Sequence, residues 1–105
     1  MTEHTIKAYE DELNTLTAEC ARMGGLTEAQ VADSLDAVIR RDRALAEQVV
    51  SRDERLDALE ADIERKAIRM IAIRSPLADD LRRTVAAMKI ASNLERCGDL
   101  AKNIA

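Results

Sequence analysis

Two pairs of carboxylates, each pair one helical turn apart, are the residues of this sequence best suited to chemistry. Glu95 and Asp99 stand in the run Ala91-Ser-Asn-Leu-Glu-Arg-Cys-Gly-Asp-Leu-Ala-Lys-Asn-Ile-Ala105, and Asp53 and Asp57 repeat the spacing upstream. Four residues is about one turn of helix, so both members of a pair project from the same side. On a helical wheel Glu95 and Asp99 continue the line of Leu81, Val85, Met88 and Ser92, with Asn103 next along it. Ile90, Leu94, Cys97, Ala101 and Ile104 are expected to form the apolar back of the same helix. Glu60 and Glu64 extend the acidic line of Asp53 and Asp57, which runs beside an apolar face.

The single proline, Pro76, relates the two pairs. Asp57 and Glu95 each lie 19 residues from it, and Asp53 and Asp99 each lie 23. If the chain reverses at Pro76 between two helices, a rise of about 1.5 Å per residue places both pairs roughly 30 Å from the turn, at matched heights. Four carboxylates at one level repel unless something neutralises them. One answer is a hard metal cation, because an all-oxygen donor set suits Mg, Mn, Ca or oxidised Fe, with Zn also within range. The other is basic side chains, for which Arg55, Arg65, Arg69 and Arg96 are at hand; the acids are then an ion-paired, solvated face. The only histidine, His4, is remote in sequence, so a Glu-x-x-His di-iron centre has no ligands here.

The elements that must position these acids are helices. Ala, Leu, Glu, Asp and Arg dominate, glycine and proline are scarce, and no strand pattern or internal repeat interrupts them. Ile6, Tyr9, Leu13, Leu16, Cys20 and Met23 follow helical spacing, and Leu26, Val31, Leu35, Val38 and Ile39 resume it after Gly24-Gly25. One long helix to about Arg40 is predicted, with the glycine pair inside it at about 1 kcal/mol each relative to alanine. Arg40-Arg41-Asp42-Arg43 is a charged break. A short connector helix is expected over Leu45, Val49 and Val50, followed by N-cap candidates at Ser51-Arg52-Asp53. Leu56, Leu59, Ile63, Ala67, Met70 and Ile73 form the stripe of the next helix, and a last helix begins near Pro76 with Asp79 and Asp80 at its positive end. The predicted fold is all-α: an antiparallel three-helix bundle, up-down-up, in a single domain over residues 1–105.

Composition removes several function classes. Tyr9 is the one aromatic residue, so stacking platforms for single-stranded nucleic acid are missing, and a net charge of −4 offers no excess to offset duplex phosphates. No apolar run approaches a membrane span and the first residues lack a signal core, which leads to an expected cytoplasmic location. Cys20 and Cys97 read as reduced thiols, Cys97 as a small buried residue, and Met23, Met70 and Met88 as core filler. No nucleophile–base pair or glycine-rich phosphate loop can be assembled, so an enzyme is not expected.

Arg74-Ser-Pro-Leu-Ala-Asp-Asp-Leu-Arg82 and Met88-Lys-Ile-Ala-Ser-Asn-Leu-Glu-Arg-Cys-Gly-Asp-Leu-Ala-Lys-Asn-Ile-Ala105 resemble the PhoU family of phosphate-signalling regulators. Met23-Gly-Gly-Leu26 and Asp53-Glu-Arg-Leu-Asp57 match that family's pattern in the same order, and Cys97 stands where a branched apolar residue is common. The resemblance implies helical-bundle repeats whose Glu/Asp-x-x-x-Asp motifs bind metal ions at the bundle surface. Carried over, those motifs are Asp53 with Asp57 and Glu95 with Asp99. It also implies a non-enzymatic cytoplasmic adaptor, peripheral to the membrane through its partners. Those partners are a Pst-type phosphate ABC transporter and a sensor histidine kinase, and the output is repression of the phosphate-starvation response. A family member is normally about twice this length, so the chain resembles an N-terminal half, and a homo-oligomer filling the vacant face is expected. The alternative is a structural helical oligomerisation module with no specific metal site.

Overall fold

The computed structural model describes the backbone of residues 3–74 and 78–105, and the side chains of 7–73 and 79–105. Three helices account for it: α1 (Glu3–Arg40), α2 (Arg43–Arg74) and α3 (Ala78–Ile104), each packed on the other two. The bundle measures 58 × 18 × 16 Å, and its long axis matches a 38-residue helix at about 1.5 Å per residue.

One spacing rule generates the interior. On α1 the buried line runs Tyr9, Leu13, Leu16, Cys20, Met23, Thr27, Gln30, Ser34, Ala37; on α2 the buried residues Val49, Asp53, Leu56, Ile63, Ala67 and Met70 include the half-buried Glu60 in the same rhythm. On α3 the line is Thr84, Ala87, Ala91, Leu94, Gly98, Ala101. Steps of three and four alternate in all three, the 3.5-residue period of a coiled-coil seam. Gly24-Gly25 leaves the rhythm of α1 intact, so one helix runs through the pair as expected.

The turn between α1 and α2 is tighter than the charged run suggested. Arg41 adopts a left-handed φ of 52°, with Arg41 N–H donating to the Val38 carbonyl at 3.3 Å and Asp42 N–H to the Ala37 carbonyl at 2.9 Å. That pair of bonds is a Schellman motif closing α1. Asp42 then caps α2 by accepting from Leu45 N–H at 3.1 Å. Because the cap is Asp42, the stretch read as a connector helix is helical but continuous with α2, and Ser51-Arg52-Asp53 lies inside that helix instead of starting it. The reversal at Pro76 and the side chain of His4 fall outside the described residues.

The buried faces differ from those that apolar spacing predicts. Val31, Leu35, Val38 and Ile39 continue the helical pattern of α1 yet are exposed, Ile39 at 77%. On α3, Ile90, Cys97 and Ile104 are exposed, whereas Ala87, Ala91, Gly98 and Ala101 are buried. The third helix of a bundle settles into the groove between the other two, and small residues allow the closest approach. The larger residues of α3 are displaced to its α1-side flank. Met23 and Met70 are core residues and Met88 packs against the core. Along the axis the core changes character, from Tyr9, Leu13, Leu16, Leu56, Ile63 and Met70 to Thr27, Gln30, Ser34, Asp53 and Gly98. The acidic residues sit where the apolar core gives way.

Candidate metal centre

Asp53 occupies a seam position of α2 and is 3% exposed. The α3 residue lying against Asp53 and Leu56 is Gly98. A Cβ at Gly98 would come 2.6 Å from Leu56 Cδ1 and 3.6 Å from Asp53 Oδ1. The glycine therefore lets the α3 backbone pack closely on Leu56, one turn from Asp53, while the approach to Asp53 itself is an ordinary contact. One helical turn along α2, Asp57 projects from the exposed flank, and Asp99 reaches it from α3. Oxygens of Asp53, Asp57 and Asp99 lie within 4.8 Å of one another. Glu95 completes the group, within hydrogen-bonding reach of Asp57 and Asp99, and Glu60 joins through Glu95. All four acids predicted from the spacing about Pro76 are brought together.

The electrostatics are those of an under-neutralised cluster. Glu95 is pushed up to about 8, first by a hydrogen bond with Asp57, then by burial and by Asp99. The hydrogen bond with Asp57 and the burial thus favour the protonated form of Glu95 over its carboxylate. Asp53 is raised mainly by burial, against the lowering effect of Lys102. Glu60 is raised by burial and by the charges of Glu64 and Asp57.

Two residues of the cluster take roles that helical spacing does not assign them. Glu60 extends the acidic line beside the apolar stripe, but its position between Leu56 and Ile63 in the seam turns it half inward. Lys102, three residues beyond Asp99, is the basic partner the cluster uses. Its Nζ is 3.3 Å from Asp53 Oδ2 and 3.8 Å from Asp99 Oδ1. Of the arginines offered for that role, Arg65 pairs instead with Asp62 at 2.9 Å. The α1–α2 seam has its own ion pairs, Arg52 with Asp33 at 2.6 Å and Lys66 with Glu19, and Asp62 supports Lys66 from within α2 at 3.0 Å.

The donor set fits a hard cation. It is all carboxylate, it spans two helices, and Asp53 Oδ1 is buried with no hydrogen-bond partner. A buried oxygen left unpaired costs about 1–3 kcal/mol or more when charged, and a cation reaching it removes that cost. The thiols contribute nothing here. Cys20 Sγ–H donates to the Ala87 carbonyl at 3.5 Å, burial and Glu19 raise its pKa, and Cys97 is exposed instead of buried.

Comparison with known proteins agrees with the sequence motifs. The family model described as "PhoU domain" matches residues 20–105. A protein of Caulobacter vibrioides named "phosphate-specific transport system accessory protein PhoU homolog" is 62% identical over 104 residues, covering 99% of this chain and 45% of its own length. Similarly named proteins of Zymomonas mobilis and Rhizobium meliloti are 51% and 48% identical, each covering 97% of this chain and 43% of their own length. The chain thus spans somewhat under half the length of these relatives.

Proposed function

The chain belongs to the PhoU family, and from that membership we propose that it is a metal-binding helical adaptor regulating phosphate uptake and signalling. Residues 1–105 are read as one PhoU-like bundle domain, with Asp53, Asp57, Glu95 and Asp99 as the ligands of a hard cation. The observation that carries the metal reading is the buried, unpartnered Asp53 Oδ1 beside the converging oxygens of Asp57 and Asp99. When bound, the cation supplies the positive charge that lets these carboxylates ionise together. Asp53 and Asp57 would hold it from α2, and Glu95 and Asp99 from α3.

The regulatory part of the reading is supported by the relatives' names, which place them with the phosphate-specific transport system. No helix among the described residues is long and apolar enough to cross a membrane. In this reading the protein is cytoplasmic and non-catalytic, has no nucleic-acid partner, and reaches the membrane through the Pst-type phosphate ABC transporter and its sensor histidine kinase. By those contacts it represses the phosphate-starvation response. Metal analysis of purified protein, with thermal melts in chelator and in added Mg²⁺ or Mn²⁺, tests the site. Metal content and a melting shift that both survive Glu95→Gln with Asp99→Asn place the metal elsewhere and end this assignment.

A structural oligomerisation module without a metal is the second reading. It is favoured by Lys102, which already neutralises part of the cluster, and by the exposed apolar residues Val31, Leu35, Val38, Ile90, Leu100 and Ile104. Melting that is indifferent to metal, with a stable oligomer, supports it.

A further inference from the structure

The acid cluster already holds one cation, and that cation belongs to the chain. Lys102 stands in the last turn of α3, and its ammonium bridges Asp53 of α2 and Asp99 of α3. These are two of the three residues whose oxygens converge within 4.8 Å, so the ammonium spans carboxylates that a bound metal also has to span. A divalent ion arriving among them meets a like charge within a few ångströms, where repulsion is strong and salt screening weak. The lysine can leave. Its side chain is 37% exposed, whereas that of Asp53 is 4% exposed, and a flexible four-carbon stem lets the strongly hydrated ammonium swing into water without repacking the core. The lysine also satisfies only half of Asp53. It holds Oδ2, while Oδ1 remains buried and unpartnered.

We propose that Lys102 is the tethered counter-ion of the metal-free cluster, and that a divalent cation binds by displacing its ammonium from Asp53 and Asp99, so that Lys102 sets the affinity of the site. The proposal rests on the metal reading of the cluster given above. It assigns Lys102 opposite effects in two states, stabilising the metal-free protein and opposing metal loading.

The test is a calorimetric titration of the metal-free protein with Mn²⁺, comparing wild type, Lys102→Met and Lys102→Arg. Methionine keeps much of the stem without the charge, so Lys102→Met is expected to bind Mn²⁺ about tenfold or more tightly than wild type, the scale of one charge-assisted hydrogen bond. Lys102→Arg retains the charge and is expected to stay near wild type. In chelator Lys102→Met melts below wild type, and at saturating Mn²⁺ that deficit closes or reverses. Lys102→Gln provides the same comparison if the methionine variant does not fold. Unchanged or weaker Mn²⁺ binding by the neutral variants overturns the proposal, as does an equal melting deficit with and without metal. The double variant Glu95→Gln, Asp99→Asn separates this failure from failure of the site itself. Binding by wild type that the double variant loses and Lys102→Met leaves unchanged keeps the site and removes the lysine's role. Binding by none of the proteins, or alike by all, removes both.

Discussion

At the scale of single residues, one proton is the clearest handle on the cluster. Glu95 has the ordinary glutamate value of 4.5 when unfolded and is pushed up to about 8 in the folded chain. The folded state therefore binds more protons between those limits. The stability this group contributes is complete below about pH 4.5 and is lost as pH rises through about 8. In chelator, wild type should melt at progressively lower temperature relative to Glu95→Gln as pH is raised across that window, read by circular dichroism. A difference between the two that is independent of pH contradicts this upward shift. The raised Asp53 and Glu60 add slopes of the same sign, which is why the comparison is with the single variant. The thiols give a second readout: in dilute solution Cys97 should react quickly with a thiol reagent, and Cys20, buried under Ala87, only on unfolding.

At the scale of elements, the glycines separate packing from propensity. Gly25 has open space where a Cβ would stand, so Gly25→Ala should stabilise by about 1 kcal/mol through helix propensity alone. Gly98→Ala gains the same propensity but drives a methyl into Leu56 in the fully packed α2–α3 seam. Overpacking of this kind costs about 1–3 kcal/mol, and a net loss is expected in urea titrations. The same displacement should weaken metal binding by prising Asp99 from Asp53. The α1–α2 turn offers a contrasting gain. Arg41 sits in the left-handed region, where a side chain costs about 1–2 kcal/mol and glycine very little. Arg41→Gly should therefore raise the melting temperature by about 4–8 °C per kcal/mol recovered. Asp42→Ala, which removes the cap on Leu45, should lower it by a comparable amount.

At the scale of the whole molecule, the two long flanks of α3 differ in chemistry. The α2 side carries the acids and Lys102; the α1 side carries Ile90, Cys97, Leu100 and Ile104, level with Val31, Leu35 and Val38 of α1. Apolar patches beyond a few hundred Å² commonly mark association. The homo-oligomer proposed for this chain should use that flank and leave the acids open. Light scattering should then report a dimer or larger species at micromolar concentration, with Cys97 labelling slowing as concentration rises. A monomer of 11.6 kDa at high concentration, with Cys97 equally reactive throughout, rules that arrangement out.

The all-α class, three long helices and the pairing of Asp53-Asp57 with Glu95-Asp99 were legible in the sequence, because they depend on composition, on helical rise and on distance from one proline. Those quantities are properties of the chain in one dimension. What only the tertiary structure decided was rotation about each helix axis. Glu60 points into the seam, Gly98 brings the α3 backbone close onto Leu56, Cys97 and Ile104 face outward, and Lys102 offsets part of the cluster's charge in place of an arginine. A wheel ranks faces by their hydrophobicity. In a three-helix bundle, however, the buried face of the last helix is chosen by how closely it can approach the other two. Small residues win that face over larger apolar ones, and no single helix carries the partner's surface that makes the choice.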